Sequence, residues 1–241
     1  MVRREFQENN EKQGIAGEGM DDKGNLIKKA VFIARKTMAG HVFSFQTMEN
    51  MPFTLPEVQT YMQGITVGGH KVSDEEKLKQ QVIAWEHLIQ LVETGTFQFS
   101  KKVACELQEI VAKDEAAECG VFRRGFVSVS GRETPLPRFQ DLDSLFKKLC
   151  NRIEKTKNVL KSGFIVSLDV ANNQYFYDGN KRTGILLMNG ILMSNGYMPI
   201  SIPAKSMLEY NTKMLSYYNS GDELEMLDFL TNLYEKAYPD A

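Results

Sequence analysis

The chain has 241 residues, 42% of them hydrophobic and 25% charged, with a formal net charge of −2 at pH 7. This balance suits a globular protein of one large or two small domains. It excludes a general basic field for drawing in nucleic acid or an anionic membrane, so any anion site must be local.

In chain order, residues 1–25 are rich in Gly, Asn, Asp and Glu and read as a mobile arm. Leu26, Ile27, Ala30, Val31, Ile33 and Ala34 recur at helical spacing, predicting a helix to about Met38 that Gly40 closes. Thr54 caps a second helix, with Leu55 and Pro56 at its first two positions and Glu57 in its first turn. Ser73, followed by Asp-Glu-Glu, is the expected cap of a long amphipathic helix whose Leu78, Val82, Trp85, Leu88 and Val92 share one face.

Another helix is expected at about 101–112, and then the pattern changes. The stretch GVFRRGFVSVSGRETPLP, 120–137, alternates Phe126, Ser128 and Ser130 with Val127 and Val129 and is punctuated by glycines and prolines. It predicts a lone β-hairpin, either a functional element or a simple connection between helices. Helices resume at about 140–155, 157–172, 181–194, 204–218 and 222–236. The expected class is mostly α with one small β element, divided into an arm (1–25), an N-terminal helical region (26–99) and a core (100–241).

Three cysteines, Cys105, Cys119 and Cys150, have no metal-ligand spacing, and the three histidines lie in unrelated segments. The N-terminus has no apolar leader core, and GILLMNGILM is too short to span a bilayer. A reducing, cytoplasmic setting without a membrane span is the expectation. No GxxxxGK[ST], GxGxxG after a strand, GxSxG or HExxH occurs, which removes the usual NTPase, dinucleotide, α/β-hydrolase and zincin readings.

The chemistry concentrates in NQYFYDGNKRTG, 173–184. The helix that follows is apolar nearly all round, which places it in the middle of a domain. Its N-terminus offers free N–H groups and the positive end of the dipole, Gly179 permits close approach to the backbone, and Arg182 adds a cation. Asp178 is placed to ligate Mg²⁺ held on phosphates. The plainer alternative is a DGN turn in which Asn180 caps the helix while Lys181 and Arg182 are solvated.

The run Phe176-x-Asp178-Gly179-Asn180-Lys181-Arg182, opening an apolar helix some fifty residues after a hairpin, resembles the Fic (Fido) family. Its members mostly transfer AMP from ATP to a hydroxyl side chain of a target protein. The segment SFQTMENMPFTLPEVQTYMQGITVGG also looks like the one many Fic proteins carry before their core. The resemblance implies a Fic-type helical bundle with a β-hairpin flap at 120–131 that receives the target protein as an added strand. It further implies that Asp178 takes Mg²⁺ and that Gly179, Asn180, Lys181 and Arg182 hold the phosphates of ATP. Whether copies of the chain associate is left open.

Two departures limit the expected activity. The family's histidine, the base for the target hydroxyl, falls on Gln174, whose amide is not basic; losing such a base typically costs about 10²–10⁴ in rate. The family's second arginine falls on Ile185, leaving Lys181 as a partial substitute, as in Doc-like members that phosphorylate their targets. The sequence therefore leaves two readings: an attenuated transferase, or an inactive pseudoenzyme serving as a binding module. Glu49-Asn50 also matches the end of the family's inhibitory motif, although Phe45 stands where Ser or Thr is expected. A glutamate on a solvated turn is the alternative there. Arg123-Arg124 reads either as a steering patch for an acidic target or as a solvated pair.

Overall fold

The computed structural model describes the backbone of residues 2–239 and the side chains of residues 22–239. Among the described residues it is helical without strands: α1 (Val2–Met48), α2 (Leu55–Met62), α3 (Val72–Glu93), α4 (Lys101–Val111), α5 (Leu142–Lys155), α6 (Val159–Asn173), α7 (Asn180–Ser194), α8 (Met207–Ser220) and α9 (Leu224–Ala237). The side chains of the arm expected over 1–25 lie almost wholly outside those described.

The helices form around α7. Every residue of α7 except Lys181 and Ser194 is buried, as its all-round apolar sequence requires. Its main neighbour is α6, and glycines let the two backbones approach. A Cβ on Gly184 would lie 2.8 Å from the Ser167 carbonyl oxygen, and one on Gly163 would lie 3.3 Å from the Met188 carbonyl oxygen. Helices α1, α3 and α4 cover the other side of α7, so the start of this helix is held from several directions.

Two predicted boundaries move. Helix α1 runs through Gly40 to Met48, because Val42, Phe45 and Met48 extend the buried stripe and outweigh the roughly 1 kcal/mol that one glycine costs a helix. Helix α3 starts at Val72, with Lys71 rather than Ser73 at the cap position and no side-chain cap. The Thr54 cap is as expected: its hydroxyl accepts from the Glu57 N–H while Glu57 accepts from the Thr54 N–H, a closed capping box.

The predicted β-hairpin is absent. Within 120–137 the backbone makes no ladder; the one internal main-chain bond is a turn, Arg132 N–H to the Val129 carbonyl at 3.1 Å. Two strands without a third are marginal in water, Pro135 and Pro137 lack donors, and here the carbonyls of Gly125 and Pro137 are taken by the Arg123 guanidinium instead. The segment is anchored by Phe122, which packs on Phe146, Tyr175 and Phe176.

Candidate functional site

The site is built on the six residues between α6 and α7. Helix α6 ends in Gln174 with φ at 49°, a left-handed turn that sends the chain back toward α7. Tyr175 and Phe176 then enter the core, both fully buried. The Tyr175 hydroxyl donates to Asp169 at 2.8 Å. Burial, then the Asp169 charge, raises the phenol above its ordinary range, so it is no substitute base.

Gly179 closes the loop with φ at 76°. A Cβ there would meet that of Ala112 at 2.8 Å, so glycine is required both by conformation and by space. No side chain caps the helix that follows, leaving its first-turn N–H groups free of such a partner. The alternative reading of Asn180 as a cap is not what forms. Asn180 is the first helical residue, and its side chain folds back: Oδ1 accepts from the Phe176 N–H at 2.9 Å, and Nδ2 donates to the Phe176 carbonyl and the Gln174 Oε1, each at 2.9 Å. It shapes the loop from within.

Gln174 is equally committed. Its Nε2 donates to the Ala171 carbonyl at 2.6 Å, and its Oε1 accepts from Asn180. The glutamine thus closes the C-terminus of α6 and ties it to the start of α7. It holds the position that the resemblance gives to a base while supplying only an amide.

Arg182 is not solvated; it is fully buried. Its Nη1 donates to the Val111 carbonyl at 3.0 Å and to Glu115 at 2.7 Å, its Nη2 lies 3.5 Å from Asp178, and its Nε sits 3.2 Å from Glu49 without a hydrogen-bonding angle. Burial alone would lower its pKa, but Glu49, Glu115 and Asp178 together outweigh that and hold it above the ordinary value. The guanidinium is therefore charged and already occupied. Lys181 is partly exposed and has no ion pair among the described residues.

Glu49 reaches the site because of the residue after it. Asn50 adopts φ of 52°, a left-handed end to α1 that asparagine tolerates, and this turn leaves Glu49 facing Arg182. Phe45, where the family pattern has a hydroxyl, is core, 6.0 Å from the Trp85 ring. Ile185 is also core, 3% exposed, so no second arginine competes for Glu49.

Three participants were missed or misread in the sequence. Glu115 lies in a polar stretch just past α4 with no motif to single it out, yet it bridges Arg182 and Lys77. Gln108, fully buried, donates to the Asp178 carbonyl at 3.2 Å and accepts from the Gly120 N–H at 2.7 Å. Arg123 is 2% exposed and so neither steers a partner nor sits in solvent.

An anion fits the helix start to the extent that no side chain caps its first-turn N–H groups and Lys181 stands partly exposed beside them. A divalent ion fits Asp178 less completely: its side chain is about half exposed, but Oδ1 already accepts from the Gly179 N–H at 2.5 Å.

Residues 98–192 match the family model described as the Fic/DOC family. Two relatives, each described as "Protein adenylyltransferase Fic", are 25% identical over 204 residues (Drosophila willistoni) and 26% identical over 207 residues (Drosophila melanogaster), both covering 82% of this chain. The chain spans about 40% of the length of these relatives. Among solved structures, Fic-1 from C. elegans (residues 134–508) superposes with a TM-score of 0.73 at 18% identity, over 95% of this chain and 73% of that one. A Fic family protein from Desulfovibrio desulfuricans G20 gives 0.71 at 18% identity, over 90% and 72%. The helical fold expected from the sequence is thus shared with Fic proteins, without the hairpin.

Proposed function

We infer that this chain, which carries a Fic domain, binds a Mg-nucleotide, ATP, at the start of α7 and transfers AMP or a related phosphate-containing group to a hydroxyl of a target protein, at an attenuated rate. The observation that carries the reading is the uncapped start of α7, where the first-turn N–H groups have no side-chain partner and Lys181 stands partly exposed beside them. Gly179, Asn180, Lys181 and Arg182 would hold phosphates and Asp178 a magnesium ion, which when bound offsets phosphate charge.

Two features slow the reaction. The target hydroxyl must give up its proton as it attacks, and Gln174 has no basic lone pair to take it. Arg182 must also be released from Glu49 and Glu115 before it can meet a phosphate. The target protein would lie along 120–131, now as an irregular segment rather than a hairpin.

The second reading, an inactive Fic-fold binding module, is favoured by the fact that both polar ends of the Gln174 amide are already bonded, to Ala171 in α6 and to Asn180 in α7. Incorporation of label from α-labelled ATP with Mg²⁺, in a host lysate, separates the two. The attenuated-transferase reading expects weak label with the wild type and stronger label with Gln174→His and with Glu49→Gly. Label only in Gln174→His means a transferase scaffold disarmed at one residue. Nucleotide binding without label in any variant leaves the binding module.

A further inference from the structure

The segment that replaces the hairpin is fastened to the phosphate loop, and one side chain makes most of the connections. Arg123 donates from Nε to the Gln174 carbonyl at 2.6 Å, from Nη1 to the Gly125 carbonyl at 2.8 Å and from Nη2 to the Pro137 carbonyl at 2.7 Å. Its own N–H donates to the Tyr175 carbonyl at 2.8 Å. Two acceptors on the loop and two on the segment are therefore served by one residue. Gln108 links Asp178 to Gly120, the Tyr177 hydroxyl accepts from the Arg124 N–H at 3.3 Å, and Arg132 donates to the Asn172 carbonyl at 2.6 Å.

These contacts replace what a sheet would have supplied. The carbonyls of Gln174 and Tyr175 follow the C-terminus of α6, where they have no helical partner and where a cation is favoured. A guanidinium can span acceptors on different chain segments because its donors form a rigid planar fork; an ammonium cannot. Between these fastenings the stretch around Phe126, itself 88% exposed with its ring edge-on to Phe139, borders a groove lined by Val127, Val129, Pro135 and Leu136.

We propose that Arg123 is a positioning residue that makes the phosphate loop and segment 123–130 one unit, so that a nucleotide held at the start of α7 orders the segment that receives the acceptor polypeptide. The proposal rests on the nucleotide-binding reading above for its ligand, and on the Arg123 geometry for its coupling.

Hydrogen exchange of the full chain, with and without Mg-ATP, tests both parts separately. Without nucleotide, Arg123→Met is expected to speed exchange on the order of tenfold at both 123–130 and 174–178 while α6 and α7 stay protected. With Mg-ATP, the wild type is expected to gain protection at 178–183 and at 124–130; Arg123→Met and Arg123→Lys keep the first and lose the second. Tyr177→Phe, which leaves Arg123 in place, keeps both.

Faster exchange at 123–130 alone, or nucleotide protection reaching 124–130 equally in the Arg123 variants, overturns the coupling. If Mg-ATP protects nothing anywhere, the nucleotide reading fails, and the comparison without nucleotide still decides whether Arg123 joins the two segments. Should Arg123→Met not fold, Arg123→Lys carries the same test.

Discussion

Two arginines are buried at opposite ends of the six-residue loop, in opposite company. Arg182 is surrounded by the side chains of Glu49, Glu115 and Asp178 together with one carbonyl; Arg123 by three main-chain carbonyls with no carboxylate. Carboxylates can rotate away and yield the cation to another anion, whereas main-chain carbonyls cannot be withdrawn without moving the fold. The first arrangement suits a site that exchanges partners and the second suits a joint. The sequence, in which each is an arginine two residues before a glycine, does not distinguish them.

The sharpest test of this contrast is removal and rescue. Arg182→Met leaves the nearly buried Glu115 without its main partner and is expected to cost about 4 kcal/mol, read as a drop in Tm of roughly 10 °C. Adding Glu115→Gln should restore part of that, because the stranded charge is gone. Arg123→Met strands carbonyls instead and is expected to cost about 3 kcal/mol by denaturant unfolding. No second side-chain change should rescue it, and a rescue by any carboxylate substitution would break the comparison.

A third buried base extends it. His41 has neither carboxylates nor a ring of carbonyls; it stacks on Trp85 at 4.4 Å and bonds the Thr37 hydroxyl at 3.0 Å. Burial lowers its pKa to about 4, so it is buried as the neutral form. The lowered folded value means that its contribution is intact above the unfolded pKa of about 6.5 and is lost as pH falls through about 4. About 3 kcal/mol of acid destabilisation in that window is expected from linkage, and His41→Phe should flatten it in unfolding curves measured from pH 7 to pH 4.

The smallest effect is at Glu49, whose side chain is 28% exposed. Glu49→Gln is expected to change stability by less than about 1 kcal/mol. It should nevertheless tighten Mg-ATP binding several-fold by calorimetry, because it relaxes one competitor for Arg182. Unchanged affinity would assign Glu49 to plain surface pairing.

Much of the fold was legible because its signals are local. The Thr54-Glu57 box, the apolar circuit of α7 and the helical spacing of α3 and α9 each follow from neighbours in sequence. The hairpin was misread for the complementary reason: alternation in 126–130 is a local signal, but whether strands form depends on competitors such as Arg123, fifty-one residues before the Gln174 carbonyl it binds. In the site, Asp178 to Arg182 were identified as a group. That Asn180 would be consumed within the loop, that Arg182 would be buried, and that Glu115 would join it are long-range facts without a motif. Gln174 was recognisable as an absent base, but not as a brace between two helices.

The close contact of Gly184 with the Ser167 main chain bears on how quickly the site can open. With no clearance for a methyl group, α7 has no room to slide along α6, and a sliding helix would in any case act on the microsecond-to-millisecond scale. Glu49 and Glu115 can turn about their own side-chain bonds without disturbing that contact. On the proposed nucleotide reading, admission to this site would be set by how often two carboxylates rotate out of the way, and Gly184→Ala, by wedging the helices apart, would disturb the frame without touching that latch.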